Sequence, residues 1–216
     1  MRKMTNVLFV LALPAAVVWS GGVAAGQDMV KTHIGHVTTA FNGTPNGQGL
    51  LPTALAEAKI AAQHAGLALK SEGNLDAMKL HAGHVLHAVD PSVEMKGPGL
   101  GYGVKRAAAG VAQHISLAAK VEGASKNVMT HSNHVATAAG NVAKWSDEIV
   151  STAQAIRAAG SAADAAPHLA HLNMLAQQVA SGVDADKNGQ VGWQEGEGGL
   201  QQAEMHMNLL LKGEGM

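Results

Sequence analysis

The chain has no cysteine among its 216 residues. That excludes disulfides, thiolate metal sites, lipid attachment at a cysteine, and haem attachment through Cys-x-x-Cys-His. A bound ion or cofactor must therefore be held by histidine, carboxylate, methionine or backbone. Aromatic side chains are also scarce, with two Phe, one Tyr and three Trp. The apolar content of 47% is carried mostly by Ala and Val. Such small side chains reach native packing density only if helices approach closely or another group fills the middle. A formal net charge of −1, with no Lys/Arg run, gives no electrostatic footprint for nucleic acid.

Long apolar runs are missing as well, apart from one near the start. Arg2 and Lys3 precede an apolar run from Val7 to Val18, followed by small residues from Gly21 to Gly26. This three-part pattern predicts a secretory signal peptide over residues 1–26, cleaved near Ala25 or Gly26. The mature chain is then expected to be exported, periplasmic or secreted, with no membrane span.

What the sequence does have is a repeat. Ala62 to Ala88 reads AQHAGLALKSEGNLDAMKLHAGHVLHA, and Ala112 to Ala138 reads AQHISLAAKVEGASKNVMTHSNHVATA. His64, Lys70, Glu72, Gly73, His81 and His84 meet identical residues in the second copy, while much of the packing surface drifts. Helices are predicted from about Leu51 to Ser71 and, capped by Asn74, to about Val89. In the second copy they run from about Val104 to Glu122 and from Ser125 towards Ala159, with Gly140 a point where the helix could break. A turn is expected over 160–166, a helix from Pro167 to about Val183, and a last helix from about Leu200 to Lys212. No strand pattern is present. The expected fold is all-α: an antiparallel helical bundle built from a duplicated helical hairpin. Its predicted parts are residues 27–183, containing the repeat 62–88 and 112–138, and a C-terminal segment 184–216.

His-x-x-His pairs recur along the chain, among them His33/His36, His81/His84, His131/His134 and His168/His171. Residues three apart share a helix face. Using the turn glycine as a ruler, His64 and His81 both sit about 12 to 13 Å from Gly73, level across the hairpin. His114 and His131 bear the same relation to Gly123, so the expected ligand sets are His64, His81 and His84 in one copy and His114, His131 and His134 in the other. Two chemistries suit such imidazoles. One is a non-covalent haem b held by two axial histidines in a thin core. The other is copper, zinc or nickel, for which a His pair plus a facing His gives three ligands. His33/His36 and His168/His171 are candidate ligands of the same kind and could complete one site together. Met205, His206 and Met207 form a Met-His-Met cluster suited to copper.

Asp184 to Glu195 reads DADKNGQVGWQE. Asp184, Asp186 and Asn188 occupy alternate positions, Gly189 a sharp turn, Gln190 offers its carbonyl, and Glu195 closes the series. This stretch resembles the calcium loop of the EF-hand family. The resemblance implies calcium held by Asp184, Asp186, Asn188, Gln190 and Glu195. It departs from the family in having no second loop and in the glycines Gly196, Gly198 and Gly199, which weaken the exit helix.

Neither Gly-x-Ser-x-Gly nor His-Glu-x-x-His is present, so an enzymatic reading lacks an identified nucleophile or base. The expected function is an exported binding protein with one calcium loop and a His-lined core for a transition metal or haem, serving storage, transfer or electron transport. Its partners would be metal ions or haem and a redox or metal-transfer protein. The alternative is a structural or interaction protein in which calcium only stiffens a helical bundle.

Overall fold

The computed structural model describes residues 21–216. The predicted signal sequence falls largely outside them, including its whole apolar run. Seven α-helices and no strand are present among the described residues: α1 (Gly21–Thr38), α2 (Leu50–Lys70), α3 (Leu75–Val89), α4 (Val104–Lys120), α5 (Lys126–Ala158), α6 (Ala162–Ser181) and α7 (Leu200–Glu214). None of them is long and apolar enough to cross a membrane. The protein is all-α, as expected.

The helix ends follow local chemistry. Asn74 accepts the Ala77 N–H and Ser125 accepts the Val128 N–H, each satisfying an orphan donor in the first turn. Gly73 (φ 89°) and Gly123 (φ 81°) take left-handed backbone in the turns that fold α3 back on α2 and α5 back on α4. Gly140 does not break α5, which runs continuously for 33 residues. The expected opening of α6 at Pro167 is corrected: the helix begins at Ala162. Ser161 and Asp164 form a capping box there, and Pro167 lies inside the helix. Two satisfied orphan donors offset the one bond that proline removes.

The core is packed by the chain's own small and branched side chains. On α2 the buried face is Ala54, Ala58, Ala61, Ala65 and Ala68, alternating four and three apart. Small side chains on that seam let neighbouring helices come close. Larger residues fill the remaining volume: Ile34, Leu86, Ile115, Ile149, Ile156, Leu169, Leu172 and Met207 are all completely or almost completely buried. Each such side chain contributes about 1.5–3 kcal/mol relative to exposure. Overpacking the alanine seam, as in Ala61→Leu, would cost about 1–3 kcal/mol. One apolar cluster extends from Val30 on α1 to Leu210 on α7, so the C-terminal segment packs into the same core as the rest.

A buried carboxylate anchors the long connection between α3 and α4. Glu57 on α2 is fully buried and accepts backbone N–H groups from Leu100 (3.0 Å), Tyr102 (2.9 Å) and Gly103 (3.0 Å). Three charge-assisted bonds compensate its desolvation.

Candidate metal centres

Three groups of three histidines form on the bundle, each with a His-x-x-His pair on one helix and a single histidine on another. The first joins His33 and His36 of α1 to His114 of α4. The second joins His81 and His84 of α3 to His64 of α2. The third joins His131 and His134 of α5 to His206 of α7. The helical repeat places each pair on one face, and packing of the helix pairs α1–α4, α2–α3 and α5–α7 brings the single ring opposite.

The three geometries are nearly the same. His114 Nδ1 lies 3.2 Å from both His33 Nδ1 and His36 Nδ1. His64 Nδ1 lies 3.1 Å from His81 Nδ1 and 3.2 Å from His84 Nδ1. His206 Nδ1 lies 3.2 Å from His131 Nδ1 and 3.3 Å from His134 Nδ1. A neutral imidazole nitrogen carries either one proton or one lone pair, so the shared Nδ1 can make at most one full-strength hydrogen bond with its two neighbours. A cation resolves that conflict. Ligands 2.0–2.1 Å from a tetrahedral ion stand about 3.3–3.4 Å apart, close to the spacing seen here.

Burial favours the neutral, metal-ready form at six of these rings. Desolvation, followed by charge repulsion from His134 and His131, lowers the His206 pKa to about 4. Desolvation is also the first cause at His33, His64, His84, His114 and His134, with neighbouring histidines adding to the downward shift. Most of these rings are half-buried between helices; His206 is buried.

The sequence-based grouping needs correction in one copy. His64, His81 and His84 come together as expected, but His114 and His131 do not pair across their own hairpin. His114 joins α1 and His131 joins α7. Equal depth from a turn fixes position along two helices but leaves their rotation free. The two turns differ in that respect. Ser71 stays near helical geometry (ψ 14°), whereas Val121 leaves α4 in extended backbone (ψ 134°) and α5 starts at Lys126.

Other histidines behave differently. His168 joins no converging group, and His171 Nε2 bonds Glu148 Oε1 at 2.9 Å. His33/His36 is therefore not completed by His168/His171. Buried His87 contacts the Glu94 carbonyl through Nδ1 (2.9 Å), a structural role. The Met-His-Met cluster divides, with Met207 in the core and Met205 half-exposed.

The acidic loop also rearranges relative to expectation. Asp184, Asp186 and Glu197 converge, with one oxygen from each within 4.8 Å of the others. Glu195 instead pairs with Lys144 at 2.6 Å on the surface. Asn188 Oδ1 accepts the Gln190 N–H, and the Asp184 carboxylate accepts the Asn188 and Gly189 N–H groups. Glu197 is buried and also accepts the Asp186 and Gly192 N–H groups. Asn141 of α5 fixes the loop, donating to the Gln194 and Gly198 carbonyls and accepting the Gly196 N–H. Sequence reasoning missed His206 as the third member of a His group, and it missed Glu197. The signal for Glu197 was present: a second glutamate stands two residues beyond the expected one.

No family model, curated protein or solved structure matches the chain.

Proposed function

We propose that the protein is an exported metal-binding protein whose three tri-histidine groups each take one first-row divalent ion of the zinc or copper class. The carrying observation is threefold recurrence of Nδ1 atoms 3.1–3.3 Å apart on three different helix pairs. Neutral imidazole suits zinc, copper and nickel alike, and the near-tetrahedral spacing favours zinc. Three protein ligands leave a fourth position for water or for a donor from an accepting partner, which suits storage and hand-over.

The same spacing supports an ion over haem. Two axial nitrogens trans to each other at ordinary metal–nitrogen distances would stand about 4 Å apart with a macrocycle between them. Here one Nδ1 in each group lies 3.1–3.3 Å from two others, closer than two trans ligands would stand, and the core is packed with the protein's own side chains.

The acidic loop adds a calcium reading. Its support is the convergence of Asp184, Asp186 and Glu197, hard oxygen donors on a short loop, beside the EF-hand-like spacing of the sequence. Calcium there would hold the α6–α7 connection against α5.

Zinc titration of the metal-free mature chain, read by isothermal calorimetry and elemental analysis, tests the main reading. Three equivalents are expected, falling to two in each of His64→Ala, His114→Ala and His206→Ala. Binding of no zinc, copper or nickel by the folded chain would overturn it.

A further inference from the structure

The three histidine groups differ in what covers them. His33 of the first lines a surface groove of about 410 Å³ with Met29, Leu117 and Lys120. His84 of the second lines one of about 310 Å³ with Lys79, Glu94 and Arg157. The third has an indole against it. The Trp193 ring lies 3.9 Å from the His134 ring, centroid to centroid, with only 17° between their planes. The nearest counterpart is Phe41 at the first group, edge-on to His114 at 5.1 Å and to His36 at 5.4 Å, with neither ring stacked face to face on it.

Trp193 is carried by the acidic loop, and that loop lies along one stripe of α5. His134, Ala138 and Asn141 follow one another at four and three residues, so they share a helix face. Asn141 makes three hydrogen bonds to the loop backbone. A Cβ on Gly198 would meet the Ala138 Cβ at 3.0 Å and the Trp193 Cα at 2.9 Å, so the loop backbone is pressed against the stripe. The indole is thus carried over His134 by a loop backbone held against α5. His206, the third member of the group, is itself buried.

We propose that Trp193 caps the third site: it orients the His134 ring and makes entry and exit of an ion at His131, His134 and His206 depend on movement of the loop. The first two sites exchange ions freely through their grooves, while the third retains its ion. The inference rests on the metal-binding reading above. A stacked ring fixes imidazole orientation much as a hydrogen-bonded outer partner does at other metal sites, and a lid slows exchange without needing to change the ligands.

The test mixes the metal-free full mature chain with excess Co²⁺ and follows uptake by visible absorption. Three equivalents are expected at equilibrium, two in a fast phase and one in a slow phase. The slow phase should disappear in His206→Ala. It should quicken by roughly tenfold or more in Trp193→Ala and persist in Trp193→Phe, which keeps an aromatic face. Asn141→Ala, which leaves Trp193 in place but frees the loop, should quicken it too. Circular dichroism identifies a variant that has merely unfolded, and the two routes to a free loop then check each other. Three equivalents taken up in a single phase, or a slow phase indifferent to both Trp193→Ala and Asn141→Ala, would overturn the cap while leaving the metal sites standing. No uptake of Co²⁺ or Zn²⁺ would overturn both.

Discussion

His114 Nδ1 lies 3.2 Å from His33 Nδ1 although 81 residues separate them in sequence. The contact ties the first described helix to α4, and the His131–His206 contact ties the last helix to α5 across 75 residues. In each case an ion would join two helices that no short turn connects. The second group instead lies within a hairpin whose helices are already held by their turn. An ion bound at the first and third sites would therefore restrain the first and last of the described helices.

A stability difference follows for His114→Ala. A ligand at about a hundred times its dissociation constant stabilises the folded chain by about 2.7 kcal/mol per site. The wild type should gain that from the first site in zinc, and His114→Ala should not. In chelator, removal of one half-buried ring should cost no more than about 1 kcal/mol. Urea melts in both buffers give the comparison. An equal loss with and without zinc would mean that His114 packs and does not bind.

The histidines also set a pH dependence for the metal-free protein. His206 titrates at about 4 when folded, because burial and then its two histidine neighbours oppose the charged form. In the unfolded chain it returns to the ordinary value near 6.5. Between these values the unfolded state binds more protons, so stability rises with pH there and falls as pH drops from about 6.5 towards 4. His33, His64, His84, His114 and His134 shift in the same direction and steepen the fall. His206→Asn should flatten the profile in part. Imidazole proton shifts followed by NMR in chelator read the His206 midpoint directly, and an ordinary midpoint would contradict its burial.

Glu57 should matter to the fold and not to the metal. In Glu57→Gln the amide keeps one acceptor oxygen but turns an N–H donor towards backbone N–H groups that need an acceptor. A buried donor left without a partner costs about 1–3 kcal/mol, and a lost charge-assisted bond a similar amount. The variant should be less stable by about 3 kcal/mol, with zinc stoichiometry still at three. Loss of a zinc equivalent would show that the connection it anchors supports the second group through His87 and Glu94.

Much of this arrangement was legible from residue spacing. Gly73, Asn74 and Ser125 announced the turns and caps, and the dominance of alanine announced that helices must approach closely. His64 could be matched to His81 and His84 because the turn sets them at equal depth and its near-helical Ser71 leaves the two faces turned towards each other. The partners of His114 and His131 were not legible in the same way, since they depend on which helix packs beside α4 and α5. One trace was present: Lys31 to Ala40 resembles the second arm of the repeat, and α1 does supply to α4 what α3 supplies to α2. His206 had no such trace, because a single histidine carries no periodicity.

The acidic loop gives the sharpest contrast between spacing and geometry. By EF-hand spacing Glu195 closes the calcium site, yet its carboxylate is exposed and paired with Lys144, which holds its pKa below the ordinary glutamate value through hydrogen bonding and charge. Glu197 is buried and directed at Asp184 and Asp186. Hard-cation affinity follows the number and rigidity of converging oxygens, and a buried, hydrogen-bonded carboxylate is the more rigid of the two. Glu195→Gln should thus change calcium affinity by no more than about twofold, whereas Glu197→Gln should weaken it by about tenfold or more. Calorimetric titration of both variants decides between them. A large loss confined to Glu195→Gln would show that the loop reorganises around calcium to the family arrangement, releasing Lys144 as it does so.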